Sequence, residues 1–80
     1  MQSKKDAGMS GKFLSPKEIT SLLGISMATV NYYTNIGLFR AEARKGNMRQ
    51  YSKAGILKNF SEIKRLRQEG YSLKLISQHL

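Results

Sequence analysis

The chain has 80 residues and no cysteine, and its 14 lysines and arginines against 5 acidic residues give a formal net charge of +9. This length leaves room for one domain, and the lack of thiols excludes disulfide scaffolds and cysteine-based zinc sites. No apolar run approaches the ~18 residues of a membrane span, so a soluble protein is the default expectation. So strong a positive charge favours a polyanionic partner, with nucleic acid first and an anionic membrane surface second.

The first segment, residues 1–12, contains Gly, Ser and Lys without hydrophobic periodicity. This composition predicts a flexible basic tail ahead of a single domain over residues 13–80. The tail is either a basic arm that binds DNA or an idle leader without a function of its own, and the second interpretation is favoured.

Four serines predict where helices begin. Each follows an apolar residue and has another apolar residue four positions further on: Ser15, Ser26, Ser52 and Ser72. This spacing is typical of an N-cap with a hydrophobic staple, in which the serine hydroxyl accepts a hydrogen bond from a free amide of the first turn. With the apolar periodicity that follows each serine, the predicted helices cover residues 16–23, 27–36, 53–69 and 73–80.

The connections between these helices indicate the fold. Only Gly24, Ile25 and Ser26 separate the first two helices, which is a helix-turn-helix connection. Apolar and charged residues then alternate over 39–44, and a Gly-Asn pair at 46–47 suits a hairpin turn. Residues 40–53 have a net charge of +4, and Phe39 and Tyr51 are expected to anchor this two-stranded basic wing to the helices.

The predicted fold is therefore mainly α: a winged helix-turn-helix with four helices and a small two-stranded β-hairpin wing between helices 2 and 3. Such a fold suits B-DNA, because a helix fills the major groove and reads base edges. A basic hairpin neutralises phosphates beside that groove.

The chain also resembles a known family. It contains, in order, the runs SPKEITSLLGISMATVNYYTNIGLF, NMRQYS and IKRLRQEGYSLKLI. These runs are similar to the DNA-binding domain of MerR-type transcription regulators over about residues 13–80. The resemblance implies a bacterial cytoplasmic protein that binds double-stranded promoter DNA as a homodimer. It also implies an indirect action on RNA polymerase, through bending and untwisting of the promoter.

The resemblance assigns roles to individual residues. Tyr32 matches the first tyrosine of the family's pair, commonly a DNA contact, and Tyr33 matches the second, expected partly in the core with its hydroxyl near phosphate. Arg49 matches the wing arginine that commonly contacts phosphate, and Tyr51 matches the tyrosine that packs the wing onto the domain. In the fourth helix, the residues that match a further phosphate-contacting region are Ser72 and Lys74.

Helical spacing and charge extend this set of candidate residues. The exposed face of the second helix is expected opposite Val30 and Tyr33, and the wing cations are candidates for phosphate contacts. The complete predicted DNA-binding set is Ala28, Asn31, Tyr32, Tyr33, Asn35, Arg40, Arg44, Lys45, Arg49, Tyr51, Ser72 and Lys74.

Two residues of the second helix depart from the family pattern. The family commonly has arginine where Asn31 stands and glutamate where Thr34 stands. Asparagine prefers adenine edges and arginine prefers guanine, so the base preference is expected to differ from that of typical members. Alternatively, Asn31 makes only a water-mediated contact.

The length of the chain is a further departure. Typical members continue into a long dimerising helix and an effector domain, whereas this chain stops at Leu80. It is expected to be either a cut-out DNA-binding domain or a short relative that pairs in another way, and mostly monomeric as an 80-residue chain.

Several residues receive a structural interpretation instead. Lys64, Arg65 and Arg67 form a charged stripe on the third helix, for which a solvated face is favoured. Met27 and Met48 are interpreted as residues that fill gaps in the packing.

Other functions have less support in the sequence. A single histidine, His79, leaves no Ser/His/Asp set to assemble, so an enzyme, a metal site and a cofactor are not expected. A small phage or mobile-element architectural protein, excisionase-like or a packaging factor, is the alternative that uses the same module. A module for RNA or an acidic protein would need exposed stacking aromatics, whereas most of the seven aromatic residues occupy staple or core positions.

Overall fold

The computed structural model describes residues 13–80 as four helices and a three-stranded antiparallel sheet. The elements are, in order, β1 (Phe13–Leu14), α1 (Pro16–Leu23), α2 (Met27–Asn35), β2 (Ala41–Lys45), β3 (Met48–Ser52), α3 (Lys53–Gln68) and α4 (Leu73–His79). This confirms the mainly α winged helix-turn-helix, with helix bounds within one residue of those predicted. The predicted tail, residues 1–12, lies outside the described residues.

Each helix begins at the serine that was predicted to cap it. The hydroxyls accept hydrogen bonds of 3.0–3.2 Å from the backbone amide three residues further on, at Ser15, Ser26, Ser52 and Ser72. At α1 the bond is reciprocal, because the Ser15 amide donates to Glu18 Oε1 at 2.8 Å and completes a capping box. Local sequence therefore sets the start of every helix.

The turn between α1 and α2 depends on one glycine. Gly24 has a φ of 69° and donates its amide to the Thr20 carbonyl at 2.9 Å. Only glycine adopts this left-handed conformation without strain, so the turn can reverse within three residues and leave α2 packed against α1.

The wing belongs to a sheet with one strand more than predicted. The strand order is β1-β3-β2, and Phe13 and Leu14 pair with Ser52 and Tyr51. A two-residue strand is too short to show an alternating pattern, so this strand was not predicted. Its pairing fastens the start of α1 to the base of the wing.

The second strand also differs slightly from the predicted alternation. Phe39 lies before the strand and is buried, and the strand begins at Ala41. The register shifts between Ala41 and Ala43, which makes Glu42 the extra residue of a β-bulge. A bulge increases the local twist of a hairpin, and this one lies where the wing leaves the helices.

One core holds the helices and the wing together. Apolar residues from both sheet and helices are buried in it: Leu14, Ile19, Val30, Leu38, Phe39, Tyr51, Ile56, Ile63, Leu66 and Ile76. Phe39 and Tyr51 are among the largest of these side chains, and they anchor the hairpin as predicted. Because an isolated hairpin is marginal in water, this packing is what keeps the wing in place.

Candidate nucleic-acid interface

One face of α2 is turned to solvent. Ala28, Asn31, Tyr32 and Asn35 are all exposed, and Tyr32 keeps 50% of its surface accessible. Val30, on the opposite side of the helix, is fully buried. A spacing of three or four residues places the exposed side chains in one stripe. This is the face that helical spacing predicted, and its contacts with DNA stay a prediction.

The two adjacent tyrosines of α2 occupy different environments. The Tyr33 ring is partly buried and meets the edge of Phe39, with 5.3 Å between ring centroids and an angle of 75°. The Tyr32 ring is exposed, with its centroid 6.3 Å from that of Tyr33. Tyr33 therefore helps to fix α2 on the start of the wing, and Tyr32 is the aromatic ring that α2 presents to solvent.

A hydrogen bond joins this exposed face to the wing. Arg49 Nη2 in β3 donates to Asn31 Oδ1 in α2 at 2.9 Å. Both residues had been predicted as DNA-binding, one on each element, but no local pattern predicted that they touch. Their contact places a cation of the wing directly beside the exposed face of α2.

A second hydrogen bond links the same two elements deeper in the structure. The Thr34 hydroxyl donates to the Val30 carbonyl at 2.8 Å and lies 2.8 Å from the Tyr51 hydroxyl. A hydroxyl has a single hydrogen, so Tyr51 is the donor to Thr34. Tyr51 is 0% exposed. Its inclusion in the predicted DNA-binding set is therefore corrected, because a fully enclosed ring supports the wing and presents no surface to a ligand.

The two bonds form a pair of parallel bridges from β3 to α2. Arg49 and Tyr51 lie on the same face of β3, because side chains alternate along a strand. Asn31 and Thr34 lie about one turn apart on α2.

The wing, residues 40–53, contains a single acid, Glu42, among five cations. Arg40, Arg44 and Lys45 are exposed, and Arg44 lies directly opposite Arg49 in the β2–β3 register. Like charges at directly opposite positions destabilise a hairpin. Within residues 13–80 the ion pairs all belong to Arg65 of α3, so Glu42 forms no ion pair with these wing cations. The pair of arginines suits a bound anion.

A groove of about 540 Å³ separates the wing tip from the starts of α1 and α2. Its lining includes Asn31 together with three cations, Lys17, Lys45 and Arg49. The sequence did not point to Lys17, because its place beside the wing depends on the long-range pairing of β1 with β3. The groove places Asn31 of α2 and the cations of the wing on one side of the molecule.

Two methionines at this groove were misinterpreted from the sequence. Met27 and Met48 line the groove and are 42% and 51% exposed, so they do not fill gaps in the core. Hydrophobic character alone predicted burial, but both residues stand at element ends where the core does not reach.

The remaining candidates lie elsewhere. Ser72 and Lys74 are exposed at the start of α4 and outside the lining of the groove. His79 is exposed near the chain end. In the described part of the chain, no three His, Cys, Asp or Glu side chains are placed to hold a metal ion. No helix within the same residues is long and apolar enough to cross a membrane.

The charged stripe of α3 is exposed, and Arg65 within it is paired with neighbouring acids. Arg65 pairs with Glu62 at 2.6 Å and with Glu69 at 3.0 Å. The hydrogen bond to Glu62, followed by the charge of the same carboxylate, raises the pKa of Arg65 above its ordinary value. Lys64 Nζ lies 5.6 Å from the centre of the Phe60 ring. This arrangement agrees with the interpretation of the stripe as a solvated face.

Comparison with known proteins agrees with this fold. The family described as MerR HTH family regulatory protein matches residues 14–80, from the end of β1 through α4. No curated protein and no solved structure matches the chain. The chain belongs to the MerR family of helix-turn-helix regulators, which bind DNA to control transcription.

Proposed function

We propose that the chain binds double-stranded DNA sequence-specifically, with α2 in the major groove and the wing on the phosphate backbone. One observation carries the proposal: the exposed face of α2 and the wing arginine meet at the 2.9 Å bond between Asn31 and Arg49. A base-reading element and a phosphate-binding element are thereby adjacent, as a DNA groove and its flanking backbone require.

The chemistry of α2 suits a major groove. The exposed stripe combines two amides, Asn31 and Asn35, with the phenol of Tyr32 and the small side chain of Ala28. Amides donate and accept hydrogen bonds at base edges, and a small side chain allows the helix backbone to approach closely. α2 has no lysine or arginine of its own, so we propose that the attraction to phosphate comes from the wing and the groove beside it.

The wing suits the phosphate backbone. Arg44 and Arg49 stand opposite each other, and Lys45 and Lys17 line the adjoining groove. Each phosphate that such a cation neutralises releases counterions, which makes binding stronger at low salt. Arg40, Ser72 and Lys74 are proposed as further backbone contacts. Tyr33 is proposed to reach phosphate with its hydroxyl only.

Duplex DNA fits this surface better than RNA does. The major groove of A-form RNA is too narrow for a helix such as α2, and sequence-specific RNA recognition relies on stacked aromatic rings. Within residues 13–80 the exposed aromatic rings are Phe13, Tyr32 and Tyr71, which lie on or beside three different elements. They do not form a stacking platform along one strand.

The wider function follows the family. We propose that the DNA is a promoter, that RNA polymerase is affected indirectly through the shape of that promoter, and that the full regulator acts as a homodimer in the bacterial cytoplasm. The 80-residue chain itself is expected to be mostly monomeric. The resemblance to MerR-type regulators supports these statements. Sedimentation of the chain with and without DNA tests the oligomeric state.

A direct test compares polyanions. Fluorescence anisotropy would measure binding of the 80-residue chain to random-sequence duplex DNA and to a structured RNA of equal charge, from about 50 to 200 mM salt. We expect tighter binding to the duplex at every salt concentration. Tyr32→Ala should weaken duplex binding, whereas Tyr71→Ala, a matched exposed tyrosine, should not. Equal affinity for RNA and DNA, with no effect of Tyr32→Ala, would contradict the proposal.

A further inference from the structure

We propose that Arg49 sets the base preference of Asn31, so that the two side chains act as one unit that selects guanine. The inference rests on the proposed function, since it names the base that the exposed face of α2 reads. It also reverses the expectation from residue type alone, which is adenine for an asparagine.

The geometry of the amide is the starting point. An asparagine recognises adenine with both ends of its amide: the oxygen accepts from the N6 amino group and the nitrogen donates to N7. In this structure the oxygen of Asn31 already accepts from Arg49 Nη2 at 2.9 Å. Because arginine only donates, this contact fixes which end of the amide faces the wing.

Apart from the second lone pair of the Asn31 amide oxygen, which lies beside the guanidinium, the remaining hydrogen-bonding groups of the unit are donors. Among residues 13–80 the Asn31 side chain forms one hydrogen bond, the one with Arg49, so its Nδ2 group keeps both hydrogens for a ligand. The guanidinium of Arg49 has five N–H donors, of which this bond uses one. An adenine on Asn31 would place its amino hydrogens beside the guanidinium hydrogens, donor against donor.

Guanine is the base that matches this pattern. Its major-groove edge offers N7 and O6, which are both acceptors. Nδ2 of Asn31 and a free N–H of Arg49 can therefore each be satisfied by one base. The Asn31–Arg49 pair therefore prefers guanine, with its guanidinium supplied by the wing.

The test is a selection from randomised duplex DNA with four versions of the 80-residue chain: unchanged, Asn31→Ala, Arg49→Met and Arg44→Met. The Asn31→Ala selection identifies the base pair that Asn31 reads, as the position at which the preference disappears. Arg49→Met removes the donor to Asn31 and keeps an apolar stem of similar length. Arg44→Met is the matched control, because it removes the same charge from the directly opposite position and leaves the Asn31–Arg49 bond intact.

We expect the unchanged chain to select a G·C pair at that position, by on the order of fivefold or more over A·T. Arg49→Met should shift the preference to A·T, because the amino group of adenine can then reach the Asn31 oxygen without meeting guanidinium hydrogens. Arg44→Met should weaken binding to all sequences and leave the preferred pair unchanged. Circular dichroism of each variant confirms that the helices are retained.

Three outcomes would overturn the inference: an A·T pair selected by the unchanged chain, the same pair selected before and after Arg49→Met, or no position that responds to Asn31→Ala. Each of these still shows enriched duplexes, so the proposed function survives. If no version enriches any duplex over the starting library, the proposed function fails and the inference fails with it.

Discussion

The Tyr51 hydroxyl donates to the Thr34 hydroxyl across 2.8 Å, joining residues 17 positions apart in the chain. This bond lies inside the structure, on the same face of β3 as the exposed bond between Arg49 and Asn31. The part-buried bond joins β3 to α2 beside the core, and the exposed one joins the same two elements at the surface. The position of the wing is therefore set by the core.

Removal of the Tyr51 hydroxyl tests this support. Tyr51→Phe keeps the ring in the core and deletes its hydrogen bond, so we expect the free energy of unfolding to fall by about 0.5–1.5 kcal/mol. Urea unfolding followed by circular dichroism measures the change. Tyr32→Phe is the matched control, because Tyr32 is exposed and should leave stability unchanged. Equal urea midpoints for both variants would contradict a stabilising role for the Tyr51–Thr34 bond.

The cap of α1 offers a second test of stability. Ser15→Ala removes the hydroxyl that accepts from the Glu18 amide and breaks the capping box. We expect a loss of about 1 kcal/mol in the free energy of unfolding. Ser21→Ala, an exposed position in the interior of the same helix, should cost nothing because alanine favours helices. A loss at Ser21 as large as that at Ser15 would mean that the cap is not the cause.

The sequence predicted the helices well, but it did not predict the contacts between residues far apart in the chain. The helix starts were predicted because a serine cap and its staple are local signals, as at Ser15. The strand β1 was missed because two residues show no periodicity. Its formation depends on pairing with β3, in which Leu14 lies opposite Tyr51 far along the chain. The Arg49–Asn31 bond was missed for a related reason: each residue was identified by spacing or family pattern, but their contact depends on how β3 packs against α2.

The wing is tested by the salt dependence of binding. Arg49→Ala should weaken binding to every duplex and lower the slope of log affinity against log salt by about one phosphate contact. If Arg49 sets the base preference of Asn31, the variant also changes its preferred base pair. Lys64→Ala on α3 removes one charge away from the proposed surface and should affect the slope less. Unchanged affinity of Arg49→Ala for random DNA would show that the wing does not contact phosphate.

The reading function of α2 is tested by Asn31→Ala. Its affinity for a selected site should fall by about 1–3 kcal/mol if Asn31 makes a bidentate base contact, and its affinity for random DNA should change much less. Titration of both duplexes with the variant and the unchanged chain measures the difference. Asn35→Ala is the matched control, because Asn35 is an exposed asparagine on the same face of α2. Asn59 would not serve, because its amide donates to the Leu38 carbonyl and its loss would disturb the fold. An identical consensus selected by the Asn31 variant would remove this residue from base readout.

The most direct measurement is a map of the bound surface by amide chemical shifts. The labelled 80-residue chain would be titrated with a short duplex, and shifts would be followed for each residue. We expect the largest changes at Asn31, Tyr32 and Arg49, with little change along the α3 stripe around Arg65. Large changes on α3, with the exposed face of α2 and the wing unaffected, would contradict it.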